Sequence, residues 1–328
     1  MSLGSAYALA AALLSATAFL ALVFGTEPVS LFRALSDSTS LDHAIVVGVR
    51  LPRVLLACVA GAGLAVVGVA LQAIVRNPLA EPYVLGVSGG SALGATLAIS
   101  AGLGLGSVWA QSFVSLSAFA GGLLATVFVY TLARGVRGLY TTNLLLAGVV
   151  VNAIASALIT LVKTLVSASK AQELLFWLMG FIGVPSYGSL GCVVVFVAVG
   201  VAVLLGDAGK LNLLALGDES AEHLGVNVRA LERRTLLASS LVVGAIVSVT
   251  GLIGFVGLIV PHALRRVVGP DARALAPLSV VLGASVLVLC DLASRSAFRV
   301  LHTELPVGAL TALVGGPLFL VLLRHKRA

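Results

Sequence analysis

Along the chain, short polar clusters separate long apolar runs, roughly over residues 6–25, 54–75, 83–101, 112–133, 144–162, 188–205, 236–264, 274–290 and 307–323. Most approach the roughly 20 residues that a helix needs to cross about 30 Å of hydrocarbon, and none alternates with a period of two. In lipid every backbone amide must be satisfied inside the protein, so only helices or a closed barrel can span it, and the absence of alternation selects helices. The pattern predicts an all-α integral membrane protein forming one transmembrane domain over residues 1–328. The seventh run is the longest and is punctuated by Gly251, Gly254, Gly257 and Pro261, so it reads as one span or two short ones.

The excess of basic residues on cytoplasmic loops separates these alternatives. With an internal amino terminus and a seventh run that crosses twice, there are ten spans. Arg76, Arg134, Arg137, Lys210, Arg229, Arg233, Arg234, Arg265, Arg266, Arg273, Arg324, Lys326 and Arg327 then face the cytoplasm, 13 inside against 7 outside. A single crossing inverts everything downstream and gives 9 inside against 11 outside. The expectation is ten spans with both termini cytoplasmic. Residues 174–184 are too few to span and read as an outer interfacial or re-entrant helix.

An internal repeat fits this plan. An ungapped shift of 183 residues places Gly61 on Gly244, Ala62 on Ala245, Val66 on Val249, Gly68 on Gly251 and Pro78 on Pro261. The copies begin five spans apart, hence in opposite orientation, which is the inverted repeat found in many transporters. One tension is visible: inversion carries Pro261 toward the outer face, yet Arg265 and Arg266 favour the inner face a turn later, so the second copy must be compressed.

Composition supports the same class. Charged residues make up 10% and hydrophobic residues 59%, with a mean hydropathy of +1.14, whereas soluble domains carry about a quarter charged residues. Thirty-six glycines would weaken soluble helices but let membrane helices approach closely. The net charge of +7 is explained by topology, since no basic face with interleaved aromatics points to nucleic acid. Cys58, Cys192 and Cys290 lie in apolar runs without metal-ligand spacing, so they read as core residues and no metal site is expected. The first apolar run has neither a basic leader nor a clear small-residue cleavage site and reads as the first span.

Several short motifs stand at the span ends. Arg50-Leu-Pro-Arg53 precedes Gly61-Ala-Gly-Leu-Ala, Gly68 and Gln72, followed by Arg76-Asn-Pro-Leu-Ala-Glu-Pro82 and Leu85-Gly-Val-Ser. Later come Leu145-Leu-Ala-Gly148, Ala215-Leu-Gly-Asp-Glu-Ser-Ala-Glu-His-Leu-Gly225, Gly254-Phe-Val-Gly-Leu-Ile-Val-Pro-His262, Asp291, Arg295, Glu304-Leu-Pro-Val-Gly308 and Gly315-Gly-Pro-Leu-Phe319. In order and spacing, over nearly the whole chain, these resemble the FecCD-type permeases, the membrane subunits of ABC importers for iron siderophores, haem and cobalamin.

The resemblance implies a ten-span permease built as a homodimer. It works with two ATP-binding cassette ATPase subunits and a periplasmic or lipid-anchored substrate-binding protein in a bacterial or archaeal cytoplasmic (inner) membrane. It also implies roles for particular residues. Residues 206–235 form the most charged loop, and Leu216, Gly217, Asp218, Glu219, Ala221, Glu222, His223, Leu224 and Gly225 correspond to the helix that seats on the ATPase. A solvated amphipathic connector is the plainer alternative, and Ala215, Leu216, Ala221, Leu224 and Val226 are the expected packing residues. Arg50, Arg53 and Arg295 correspond to arginines that dock the binding protein, with Arg299 less securely matched; ordinary interfacial arginines are the alternative. Asn77 and Leu79, with Thr141 and Thr142, correspond to the cytoplasmic gate. Asn152, Ser156 and Thr160 lie at helical spacing and either line the path or bond a neighbouring helix.

No Gly-x-x-x-x-Gly-Lys-Ser/Thr sequence occurs, so a P-loop is excluded; ATP and magnesium would belong to the partner ATPase, and no cofactor is expected on this chain. A secondary transporter driven by protons or sodium would need ionisable groups deep in the membrane, whereas Glu81, His262, Asp291 and Glu304 read as span-end residues. An intramembrane enzyme would need a pair of catalytic groups at membrane depth, and none is evident.

Overall fold

The computed structural model describes residues 2–103, 108–133 and 140–324. Helix α1 (Leu3–Val23) is followed by two short helices, α2 (Leu31–Ser36) and α3 (Leu41–Ile45), and by a π-helical turn, Val46–Arg50, that runs into α4 (Leu51–Ile74). After a 3-10 turn at Pro82–Leu85 come α5 (Val87–Ser100), α6 (Val108–Ala133), α7 (Tyr140–Leu165), α8 (Ala168–Met179) and α9 (Tyr187–Gly206). The charged loop folds as α10 (Ala208–Leu214) and α11 (Asp218–His223), and α12 (Val228–Thr250), α13 (Val256–Val268), α14 (Ala272–Leu301) and α15 (Val307–Arg324) complete the chain.

Among the described residues, nine apolar helices and the shorter α13, which ends in Arg265 and Arg266, correspond to the ten expected spans. α1, α4, α6, α7, α9, α12 and α14 contain long apolar windows, α5 and α15 contain shorter ones, and the seventh apolar run is divided into α12 and α13. The sequence placed the short outer helix at 174–184; it is observed at Ala168–Met179, and Gly180 (φ +73°) then turns the chain into an extended segment. The apolar runs also understate two helices, because Arg53 and Arg295, which seemed to mark ends, are neutralised inside the helical bundle. Thus α4 begins at Leu51, and α14 continues past residue 290 to Leu301.

The core is α4, packed against α9, α12, α13 and α14. Small residues allow this. A methyl group placed on Gly61 would overlap the Gly283 carbonyl of α14, and one on Gly68 would overlap the Gly257 carbonyl of α13. Without a water-driven hydrophobic force between helices in lipid, such close backbone contact supplies much of the attraction.

The pairings have an internal symmetry. Exchanging α4–α5–α6–α7 for α12–α13–α14–α15 converts the α4–α14 contact into α12–α6, α5–α6 into α13–α14, α5–α12 into α13–α4, and α7–α5 into α15–α13. All of these contacts are present, as the inverted repeat requires. Gly61 and Gly244, matched by the ungapped shift, both face the equivalent helix: Gly61 meets α14, and Gly244 meets Phe119 of α6. Beyond this point the register fails. α4 runs to Ile74, but α12 stops at Thr250, where that alignment would carry helix through Gly257. Pro78 therefore lies in a turn, whereas Pro261 lies inside α13. This is the compression that the basic residues required.

Replacing Gly68 with valine should force α4 from α13 and destabilise the fold by about 3 kcal/mol. Gly191→Ala, where nothing lies within 4 Å, should be neutral or slightly stabilising. Thermal scanning of purified protein by size-exclusion chromatography distinguishes the two.

Candidate functional site

α5 has 14 residues and α13 has 13, so each is only about 20 Å long, short of the roughly 30 Å hydrocarbon core. The breaks that precede them, residues 75–86 and 251–255, therefore bring non-helical backbone to membrane depth. There it must be satisfied by protein groups. The first break supplies these groups to the second. Tyr83 donates its hydroxyl to the Ile253 carbonyl at 2.7 Å and accepts from the Ile253 amide at 2.7 Å. Glu81 accepts from the amide of Phe255, whose φ of +68° is left-handed. Gln72, buried in α4, donates to the carbonyls of Gly257 (3.1 Å) and Ala80 (3.3 Å).

Beside this junction is an open hollow of about 570 Å³ whose polar lining includes Tyr83, Ser88, Asn152, Ser156 and Thr160. The residues that line it carry no formal charge at neutral pH. Asn152 bonds neighbouring elements, donating to the Tyr83 carbonyl (2.8 Å) and accepting from the Gly89 amide (3.1 Å). Ser156 and Thr160 are exposed, with Thr160 bonded back to the Ser156 carbonyl at 2.9 Å. Asn152 therefore holds the wall, and the two hydroxyl residues face the opening. Asn77 and Leu79 are half-buried at the start of the first break, where the Asn77 carboxamide accepts from the Leu79 amide at 3.0 Å. Thr141 and Thr142 fall in the first turn of α7, and their side chains lie outside the described residues.

Beside the Asn77 turn, in contact with Arg76, α10 and α11 meet at Gly217, whose φ of +113° only glycine adopts without strain. Asp218 and Glu219 occupy the first turn of α11 and His223 the last, as the helix dipole favours. Ala221 and Val226 pack inward as expected. Ala215, Leu216 and Leu224 do not: all three flank α11 and are exposed, the two leucines at 64% and 58%. Asp218, Glu219, Glu222, His223 and Gly225 share that exposed surface, and Gly217 is half-buried. Two clamps fix the loop. Buried Asp207 pairs with Lys210 (2.9 Å) and with Arg234. Asn212 bonds Asp271 and the Ala272 amide at the start of α14, while the Arg273 amide and then Asn212 hold the Asp271 carboxyl below its usual range.

At the opposite end of α4, the three arginines read as a docking rim are buried. Arg50 is 3% exposed and donates to the Leu22 and Val23 carbonyls at 2.7 Å, and to Glu27, capping the end of α1. Arg53, 6% exposed, donates to Asp291 at 2.8 Å and to Glu304 at 2.9 Å. Arg295 lies within α14 rather than after it. It donates to the Ala21 carbonyl (3.1 Å) and forms an ion pair with Asp291 at 3.0 Å whose angle falls short of a hydrogen bond. Asp291 is fully buried between these cations, so it is not the span-end residue that its position suggested. Burying an unpaired arginine or aspartate would be very costly, and this mutual pairing is what allows the group inside the bundle. Arg299, one turn further, is exposed. The i, i+4 spacing of Asp291 and Arg295 was the sequence signal for part of this cluster; the links from Arg53 to α14 and from Tyr83 to residue 253 had none, since they join residues more than 150 positions apart.

Nine apolar helices and α13 in an inverted repeat, two breaks joined by side-chain bonds, a polar hollow beside them and an exposed charged helix define a membrane transport permease. The model of the FecCD transport family matches residues 13–325, and the chain belongs to that family of ABC importer permeases. The cobalamin import system permease protein BtuC of Halobacterium salinarum is 43% identical over 283 residues, 86% of this chain and 74% of its own. The hemin transport system permease protein HmuU of Yersinia pestis is 39% identical, over 90% of this chain and 88% of its own. A solved metal-chelate type ABC transporter in an inward-facing conformation superposes with a TM-score of 0.86 at 33% identity, covering 98% of this chain and 99% of that one.

Asp291→Asn should destabilise the permease by about 3 kcal/mol, because it leaves two buried arginines without their shared anion. Glu304→Gln, at a side chain 34% exposed, should cost under about 1 kcal/mol. Denaturation in matched detergent, with α1 detachment followed by limited proteolysis, measures both.

Proposed function

We propose that the chain is the translocating subunit of a binding-protein-dependent importer for an iron chelate, a ferric siderophore or haem, or for cobalamin, working by ATP-driven alternating access. The observation that carries this reading is the exposed surface of α11 at the helix break: Leu216 and Leu224 stand bare beside Asp218, Glu219, Glu222 and His223. Two exposed leucines ringed by charges form an apolar anchor with a polar rim, the anatomy of a protein interface. A cytoplasmic ATPase seated there is positioned to move the first break. Asn77 and Leu79, with Thr141 and Thr142, are then the gate, and Asn152 and Ser156 line the path.

The hollow supports a chelate over a bare ion. Its neutral hydroxyl, amide and apolar lining offers hydrogen bonds and surface contact but no counter-charge, which suits a bulky cargo whose metal charge is already balanced by its own ligands. The hollow is open on one side and α7 is mostly exposed, so a second copy related by a two-fold axis completes the path, with one ATPase under each copy. The binding protein docks at the Arg53 end. Here Arg50, Arg53 and Arg295 shape the docking face from within by fixing α1, α4 and α14, and Arg299 offers the outward cation. On this reading the chain sits in the cytoplasmic (inner) membrane of a bacterium or archaeon with both termini inside.

Reconstitution in nanodiscs with its ATPase and binding protein tests the assignment. ATP hydrolysis should be stimulated by the loaded binding protein, and vesicle uptake should occur with one of ferric siderophore, haem or cyanocobalamin. Leu216→Asp should weaken ATPase association at least about tenfold. Uptake that follows a proton or sodium gradient without any ATPase would replace the reading with a secondary transporter.

A further inference from the structure

Arg76 directly follows the turn that closes α4, and its backbone is left-handed, with φ +49°. That left-handed residue ends the helix in a common way, with the Arg76 amide bonded to the Ala73 carbonyl at 3.3 Å and the Asn77 amide to the Gln72 carbonyl at 3.2 Å, and the Arg76 side chain makes its contacts beyond α4. The contacts are specific. The Arg76 guanidinium donates through Nε to the Leu214 carbonyl, at the end of α10, at 3.2 Å. Through Nη2 it pairs with Asp218, the first residue of α11. One planar fork thus joins the carbonyl end of one short helix to the first-turn carboxylate of the next, placing its charge where the dipole of α10 favours a cation and where Asp218 supplies an anion.

The next residue along the chain is Asn77. It opens the turn in which the Asn77 side chain accepts from Leu79 and the Asn77 carbonyl accepts from Ala80 at 3.0 Å. The far side of that turn is fixed elsewhere, since Gln72 holds both the Ala80 and Gly257 carbonyls. The turn therefore has one end anchored to α13 and the other tied through a single side chain to the α10–α11 junction.

We propose that Arg76 is the positioning residue that transmits displacement of α11 to the 77–80 turn, so that ATPase movement opens or closes the gate through the Arg76–Asp218 and Arg76–Leu214 contacts. This rests on the reading of α11 as the ATPase seat and of Leu79 as a gate residue. The ion pair is itself half open to solvent, with side-chain exposures of 38% and 58%, and an open pair stabilises little. Its importance is mechanical: it is the direct side-chain tie between the junction and the residue next to the gate.

The test uses the assembled complex in nanodiscs with a Leu79→Cys reporter, whose labelling rate by a bulky polar maleimide is compared without nucleotide and after vanadate trapping with ATP. Arg76→Ala, which lies outside the ATPase seat, should leave the ATPase copurifying and hydrolysing ATP, but cut the nucleotide-dependent change in labelling at least about fivefold. Adding Asp218→Asn to Arg76→Ala should cut that change no further, because the link is already lost. An unchanged labelling response in Arg76→Ala overturns the proposal. So does loss of ATPase association in Arg76→Ala, which would make Arg76 a docking residue. If the Leu79→Cys parent itself gives no nucleotide response, the gate reading fails and this inference falls with it; if no ATPase binds the parent, the importer reading is what fails.

Discussion

Backbone that leaves a helix inside a membrane must still make its hydrogen bonds, and the rest of this structure depends on how that requirement is met. The second break satisfies it through the first: Glu81 and Tyr83 serve Phe255 and Ile253, and Gln72 of α4 completes the junction on Gly257. Water would otherwise have to follow the chain into the bilayer, at a cost of several kcal/mol for each unpaired group. The first break thus holds the second, and the junction joins the two repeat halves. The hollow that forms next to them borrows its wall from the same groups, with Tyr83 and Asn152 bonded to each other.

Close packing lets the junction form at that depth. Glycine at positions 61, 68 and 257 allows α4, α13 and α14 to meet backbone to backbone, which brings Gln72 within reach of the Gly257 carbonyl. The buried charges at the other end of α4 complement this. Arg50, Arg53 and Arg295 secure α1 and α14 around that end. At the Arg76 end the exposed α10–α11 junction is clamped to α12 through Asp207 and to α14 through Asn212, and is tied to the end of α4 through Arg76.

Much of this was legible in the sequence. The ten spans followed from run length and the placement of arginines, and the divided seventh run followed from Gly251, Gly254 and the charge count. The family pattern marked residues 216–225 and 76–82. What could not be read was direction. Periodicity is silent about which face a residue takes in a helix apolar all round, so Arg50, Arg53 and Arg295 looked like a rim when their carboxylate and carbonyl partners lie inside. Leu216 and Leu224 looked like packing residues because a short helix offers too few positions to tell its faces apart. The second repeat copy was placed in register at Gly244 but misplaced at Pro261, since a helix that ends seven residues early leaves no mark in an ungapped alignment of glycine-rich segments.

Hydrogen–deuterium exchange across residues 250–258 in nanodiscs tests the locking of the second break by the first most directly. If Tyr83, Glu81 and Gln72 hold that backbone, these amides exchange as slowly as the interior of α4 in the parent protein, and a Glu81→Ala/Tyr83→Phe variant exchanges them rapidly while α4 stays protected. Rapid exchange of residues 250–258 in the parent protein, or slow exchange that the variant leaves unchanged, would contradict the account.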